Sequence, residues 1–163
     1  FKMIKPWLNI KNFKFTNFKK IGLKKLNSKN FKTSPWIDKI VKKNNIKLDK
    51  NKLPIFLIKV KVKGLGFNKP TQLYKIYNKA KLKGYDLVAP EIALYSRLLF
   101  TKQKKGEWIR FATPLKAMID SDGVPHLPKL GRALGKYFIE TYWSYPKAIF
   151  HPHNEFIFIY KKN

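Results

Sequence analysis

Between Asn9 and Thr33 the chain sets eight lysines among four phenylalanines and includes no carboxylate. An unpaired ammonium group stays in water or on a polyanion, because burying it alone is too costly. Phenylalanine rings leave water wherever a surface will take them. Whatever this stretch folds into must satisfy both, and two arrangements do so. The rings can pin the segment to an apolar surface of the same chain, with the lysines facing outward. Alternatively, the rings can stack on nucleobases while the lysines neutralise phosphates. Both readings remain open for Trp7, Phe13, Phe15, Phe18 and Phe31, the candidates for base stacking or docking, with Trp36 as a further ring among lysines. The candidate phosphate contacts are Lys11, Lys14, Lys19, Lys20, Lys24, Lys25, Lys29, Lys32, Lys42 and Lys43, joined further on by Arg132 and Lys136.

The imbalance extends to the whole chain. Its 163 residues carry 36 Lys+Arg against 9 Asp+Glu, a formal net charge of +27. An A/T-rich genome would enrich Lys, Asn, Ile, Phe and Tyr, but it would enrich Glu as well, and Glu occurs only at 91, 107, 140 and 155. Codon bias therefore does not account for the missing acids, whereas a polyanionic partner does. RNA is the expected partner, ribosomal RNA first, together with neighbouring proteins of a ribonucleoprotein; DNA stays open. A membrane surface is disfavoured because the lysines do not gather on one face of a long amphipathic helix. No apolar run approaches the roughly 20 residues that span a bilayer. With no cysteine, disulfides and thiolate metal sites are ruled out. No metal or cofactor is expected. The expected location is intracellular: a bacterial cytoplasm, or an organelle matrix such as the mitochondrion, of an organism with an A/T-rich genome.

Charge also divides the chain. Residues 1–63 hold 19 Lys and 2 Asp, while residues 64–163 hold 17 basic and 7 acidic residues. This predicts a basic, aromatic-interleaved arm over 1–52 and a compact domain over 53–163. Within the arm, Ser34 as N-cap, Pro35 at the first position and Asp38 in the first turn predict one helix over about 34–44. "LPIFLIKVKVKG" at 53–64 passes into strict alternation and reads as a strand. Leu73, Ile76, Tyr77 and Ala80 share one helical face, with Gly84 placed to end that helix. A short helix follows over 89–100, then strands at "EWIRFAT", "KYFIETYW" (136–143) and "EFIFIY" (155–160). The predicted fold class is α+β: a small, mostly antiparallel sheet with two or three short helices, preceded by an extended basic arm.

Several motifs come close to known chemistry and fall short. Gly64-Leu65-Gly66 lies between strand and helix, but Lys69 stands where a dinucleotide fingerprint needs its third glycine, so it reads as a tight turn. "GRALGK" (131–136) is one residue short of a phosphate-binding Walker loop, and Tyr137 replaces the magnesium-binding hydroxyl. Arg132 and Lys136 remain phosphate contacts on a basic loop. Asp120-Ser121-Asp122-Gly123 opens like a calcium loop but puts Gly131 where a bidentate Glu belongs. His126, His151 and His153 are the only histidines. Beside Asp120 and Asp122 they define the alternative function, a nucleic-acid-cleaving enzyme or toxin. No catalytic residue is assigned, because "HPH" at 151–153 is accounted for as a rigid entry into the last strand.

From about Gly66 to Lys161 the stretches "LGFNKPTQLYKIYNKAKLKGYDLVAPEIALYSRLLF", "GEWIRFATPL", "DSDGVP" and "EFIFIYKK" are similar to a group of small bacterial proteins. Their pattern is GEW-[IL]-R, then DSDG, then F-[IV]-F. The resemblance brings no activity with it. Between 126 and 150 the chain departs from that group, being basic and aromatic where they are rich in Asp and Gly. The function this reading leads to is a non-enzymatic RNA-binding protein, an accessory or structural component of a ribosome or similar ribonucleoprotein.

Overall fold

The computed structural model describes residues 5–161. Its frame grows from the alternating run at the start of the expected domain. Ile55–Lys61 is a strand (β3), joined antiparallel by Leu8–Ile10 (β1) on one side and by Glu155–Tyr160 (β10) on the other. Beyond β10 come Tyr85–Asp86 (β5), antiparallel, and Ile109–Phe111 (β6), parallel. The sheet continues antiparallel through His126–Ala133 (β7) and Lys136–Trp143 (β8), then ends on Phe31–Thr33 (β2), parallel to β8. The order is β1-β3-β10-β6-β7-β8-β2, with β5 attached to β10. A separate ladder pairs Thr71–Gln72 (β4) with Ile149–Phe150 (β9). Among the described residues there are four α-helices: Leu23–Leu26 (α1), Pro35–Asn44 (α2), Leu73–Leu82 (α3) and Pro90–Leu99 (α4).

The α+β class is as expected, but the sheet is mixed and eight-stranded rather than small and mostly antiparallel. The difference comes from the first 52 residues. They supply both edge strands, β1 at one end and β2 at the other, and β2 runs parallel to its neighbour. Over its described part the segment is therefore no extended arm. It covers three residues of β3 and three of β8 that would otherwise be open strand edges.

The same correction appears in the core. Successive strand residues point to opposite faces, and the sheet buries both. On one face Ile55, Leu57, Ile109, Phe111, Leu130, Ile139 and Ile157 pack with α2, α4 and the N-terminal residues Ile10, Phe13, Phe15, Phe18, Leu23 and Leu26. On the other, Ile58, Ala112, Leu127, Phe156 and Phe158 pack under Leu73, Ile76, Tyr77 and Ala80 of α3. The boundary expected at 52/53 thus runs through a single cluster of buried side chains.

Local chemistry explains the ends of these elements. Ser34 Oγ accepts from the Ile37 backbone N–H at the start of α2, and Gly84, at φ +84°, stops α3. "GRALGK" is a hairpin: Leu134 and Gly135, both at positive φ, turn β7 into β8. The strand β7 was not apparent from the sequence because Pro128 and Gly131 interrupt it. Pro128 lies past the end of the β6 pairing, where only β8 ladders the strand. Gly131 is needed because the Trp108 ring lies on it; a Cβ there would sit 2.3 Å from the ring.

Candidate nucleic-acid interface

Residues 13–18 show how the lysine and phenylalanine pattern is used. Phe13 and Phe15 both turn inward onto Tyr95 of α4, with ring centroids 5.0 and 5.4 Å away, and Phe15 packs edge-on against Phe18 at 5.2 Å. Between them the Lys14 backbone N–H donates to the Tyr95 hydroxyl at 3.0 Å, and the Lys14 side chain points to solvent. Phe18 is fully buried and lies over Gly22, where a Cβ would come within 2.0 Å of the ring. Trp7 packs on Phe100 and Phe111. These four rings are therefore committed to the protein's own core, which resolves the two sequence readings in favour of docking. Phe31 is half-buried against Tyr137.

With the rings inside, the lysines are left outside. A π-helical turn, Phe18–Gly22, leads into α1; Phe18, Gly22, Leu23 and Leu26 face inward, while Lys19, Lys20, Lys24 and Lys25 are exposed. Lys11, Lys14, Lys29 and Lys32 are exposed, as are Lys39, Lys42 and Lys43 of α2. All fifteen lysines between residues 5 and 52 are exposed. Among the described residues the ion pairs join Lys59 to Glu107 and Glu155, His126 to Asp120, and Lys161 to Asp86, so none takes a lysine from that segment. Its two carboxylates are engaged internally. Asp38 accepts from the Thr33 hydroxyl at 2.6 Å and Asp49 from the Asn51 backbone N–H at 2.9 Å.

Beyond residue 52 most lysines are likewise exposed, but a few cations are packed against rings or buried. Lys129 lies 4.5 Å above the Trp108 ring and Arg110 lies 5.5 Å from both Tyr142 and Phe150. Burial lowers the pKa of Lys129, opposed by nearby Glu140. Arg97 is wholly buried with no carboxylate. Its guanidinium donates to Gln103 Oε1 at 2.6 Å and to the carbonyls of Phe100, Gly131 and Phe138, tying α4 to β7 and β8. Burial pulls its pKa down to about 10. Arg132, expected on a free basic loop, instead donates to the Gln103 carbonyl at 2.9 Å and lies over Tyr137; Lys136 begins β8, half-buried. Neither occupies a loop of the kind expected, because the segment is a hairpin turned at Leu134 and Gly135.

The structure brings His126 and Asp120 together and leaves His151 and His153 stacked on each other in an exposed turn. Asp120 is buried, and its Oδ1 accepts from the Asp122 and Val124 backbone N–H groups. Its Oδ2 meets His126 Nε2 at 2.8 Å. The His126 bond, aided by those backbone donors, holds the Asp120 carboxyl below the usual carboxylate range against the opposing effect of burial. The other imidazole nitrogen is 3.0 Å from Thr141 Oγ1. Both ring nitrogens are thus occupied, an arrangement that fixes the 120–126 turn onto β8. Among the described residues no three His, Asp or Glu side chains group as a metal site would require.

Above this turn stands the aromatic residue best placed for a ligand. Trp36, in the first turn of α2, is 41% exposed, with its ring 5.2 Å from His126 and Lys39 Nζ 5.5 Å from its face. It lines both a cavity of about 430 Å³ shared with Trp143 and Asp122 and a cavity of about 310 Å³ shared with Lys39, Lys42 and Lys43. Trp143, 59% exposed, was not singled out from the sequence, and only its place in the aromatic run "YWSY" could have marked it. No family model, curated protein or solved structure matches the chain.

Proposed function

We propose that this is a non-enzymatic RNA-binding protein, a structural or accessory component of a ribosome or comparable ribonucleoprotein, working wherever that particle resides: a bacterial cytoplasm or a mitochondrial matrix. The supporting observation is the set of fifteen exposed lysines over residues 5–52, without ion pairs among the described residues and with both local carboxylates engaged elsewhere. Such a surface repels itself, and a phosphate backbone relieves that repulsion while releasing counterions. Lysines contact phosphate without reading bases, so this surface positions RNA and does not select its sequence. Among the described residues no helix is long and apolar enough to cross a membrane.

The test is what remains bound when the protein is purified at low salt. Ribosomal RNA with ribosomal proteins supports the reading; lipid, DNA alone or no bound polyanion contradicts it. The second reading, a nucleic-acid-cleaving enzyme or toxin, draws on the His126–Asp120 pair, whose imidazole nitrogens are both engaged within the fold. That reading requires RNA or DNA cleavage by the pure protein that disappears in His126→Ala while the fold survives.

A further inference from the structure

The two cavities meeting at Trp36 combine what a single unstacked nucleotide needs. Trp36, 41% exposed beside His126 and Lys39, and Trp143, 59% exposed, both line a cavity of about 430 Å³, a size in the range of small-ligand sites. Lys39, Lys42 and Lys43 line a second cavity that shares Trp36 and Asp120 with the first. An aromatic surface beside a row of cations is how single strands are held, by stacking on the base and pairing with the phosphate. The cleft also contains one group that discriminates between bases. Asp122 is exposed at its edge, and its backbone N–H goes to Asp120 while its own carboxylate is not used by Asp120, His126 or Thr141. A carboxylate accepts from an exocyclic amine, as carried by cytosine, adenine and guanine, whereas uracil presents carbonyls there and offers only its ring N3–H as a donor.

We infer that the Trp36–Trp143 cleft is a base-binding subsite for one unstacked, amine-bearing nucleobase of single-stranded RNA, with Asp122 accepting from the amine and Lys39, Lys42 and Lys43 holding the adjacent phosphates. The inference rests on the RNA-binding reading above and gives it a place where sequence matters. A rival ligand, a quaternary ammonium group, would also suit two indoles and a carboxylate. The net charge of +27 and the three neighbouring lysines oppose a cation and favour a base tethered to phosphates.

The experiment measures binding of the oligoribonucleotides rC8, rA8 and rU8 to the full chain, by fluorescence anisotropy and by quenching of tryptophan emission, over a range of salt. The expected order is rC8 and rA8 above rU8, with strong quenching for the first two. Trp36→Leu combined with Trp143→Ala should weaken rC8 about tenfold or more and abolish most of the quenching, with the salt slope unchanged, because stacking releases no counterions. Both rings are substantially exposed, so the fold should survive; unchanged far-UV circular dichroism and melting temperature would confirm it. Asp122→Ala should remove the preference over rU8 while leaving rU8 binding unaltered. If the double variant binds all three oligomers like the parent, or if tetramethylammonium and not rC8 quenches the parent, the subsite is refuted while the lysine surface stands. If the parent binds no RNA at any salt, the functional proposal fails along with it.

Discussion

Tyr95 is the residue onto which the N-terminal segment folds. It receives Phe13 and Phe15 on its ring and the Lys14 N–H on its hydroxyl, so one side chain serves both the apolar and the polar needs of an extended stretch. Replacing Tyr95 by Phe should cost about 0.5–1.5 kcal/mol in urea unfolding, the worth of one such hydrogen bond. Phe18→Ala should cost about 3–5 kcal/mol, because the ring is wholly buried with no solvent to refill its space. If instead Phe18→Ala left stability intact and reduced RNA affinity, the ring would belong to the ligand and not to the core. Asp120 gives a pH-dependent counterpart. Its pKa is lower in the fold than in the unfolded chain, so its contribution is present above the unfolded value, about 3.9, and is lost as pH falls through the lower folded value. Asp120→Asn should therefore destabilise the protein near neutrality, and the gap between variant and parent should shrink in acid. A gap that stayed constant down to pH 2 would show that the carboxylate charge was not involved.

Among the elements, those with their own local signals were legible in the sequence. Ser34-Pro35 announced α2, Gly84 closed α3, and alternation or dense β-forming residues marked β3, β8 and β10. Elements whose existence depends on distant partners were not legible. The strands β1 and β2 are three residues each and owe their form to β3 and β8, far along the chain. Lysine density made the segment around them look like a tail. The Phe-Lys-Phe alternation in fact has the period of an extended chain with one face buried, and the sequence did not say whose surface would bury it. In the same way the exposure of the lysines, and Trp36 as a ring among them, could be anticipated, whereas exposure of Trp143 and burial of Phe13 could not, because packing decides them. It follows that removing residues 1–33 should not leave a folded domain, since it strips both edge strands and six buried apolar side chains from the core. A cooperative thermal transition in the fragment 34–163, with the near-UV circular dichroism of the parent, would contradict this.

At the scale of the whole molecule, charge and core are two consequences of one arrangement. The residues that supply the sheet's edge strands and fill one face of its core carry, on their outer side, fifteen lysines without ion pairs among the described residues. The cationic surface is thus mounted on packed and paired elements, so an RNA ligand would meet an array that costs less ordering entropy on binding than a flexible tail would. On the proposed reading, neutralising one cluster should weaken phosphate binding there without disturbing the rest. The most direct measurement is the dependence of single-stranded RNA affinity on salt, from about 50 to 200 mM, for the parent and for a variant carrying Lys19→Gln, Lys20→Gln, Lys24→Gln and Lys25→Gln. The predicted result is a steep log–log slope for the parent, flattened in the variant by about 0.7 for each phosphate no longer neutralised, with the melting temperature unchanged or raised. RNA affinity indifferent to salt, or the same slope in both proteins, would contradict it.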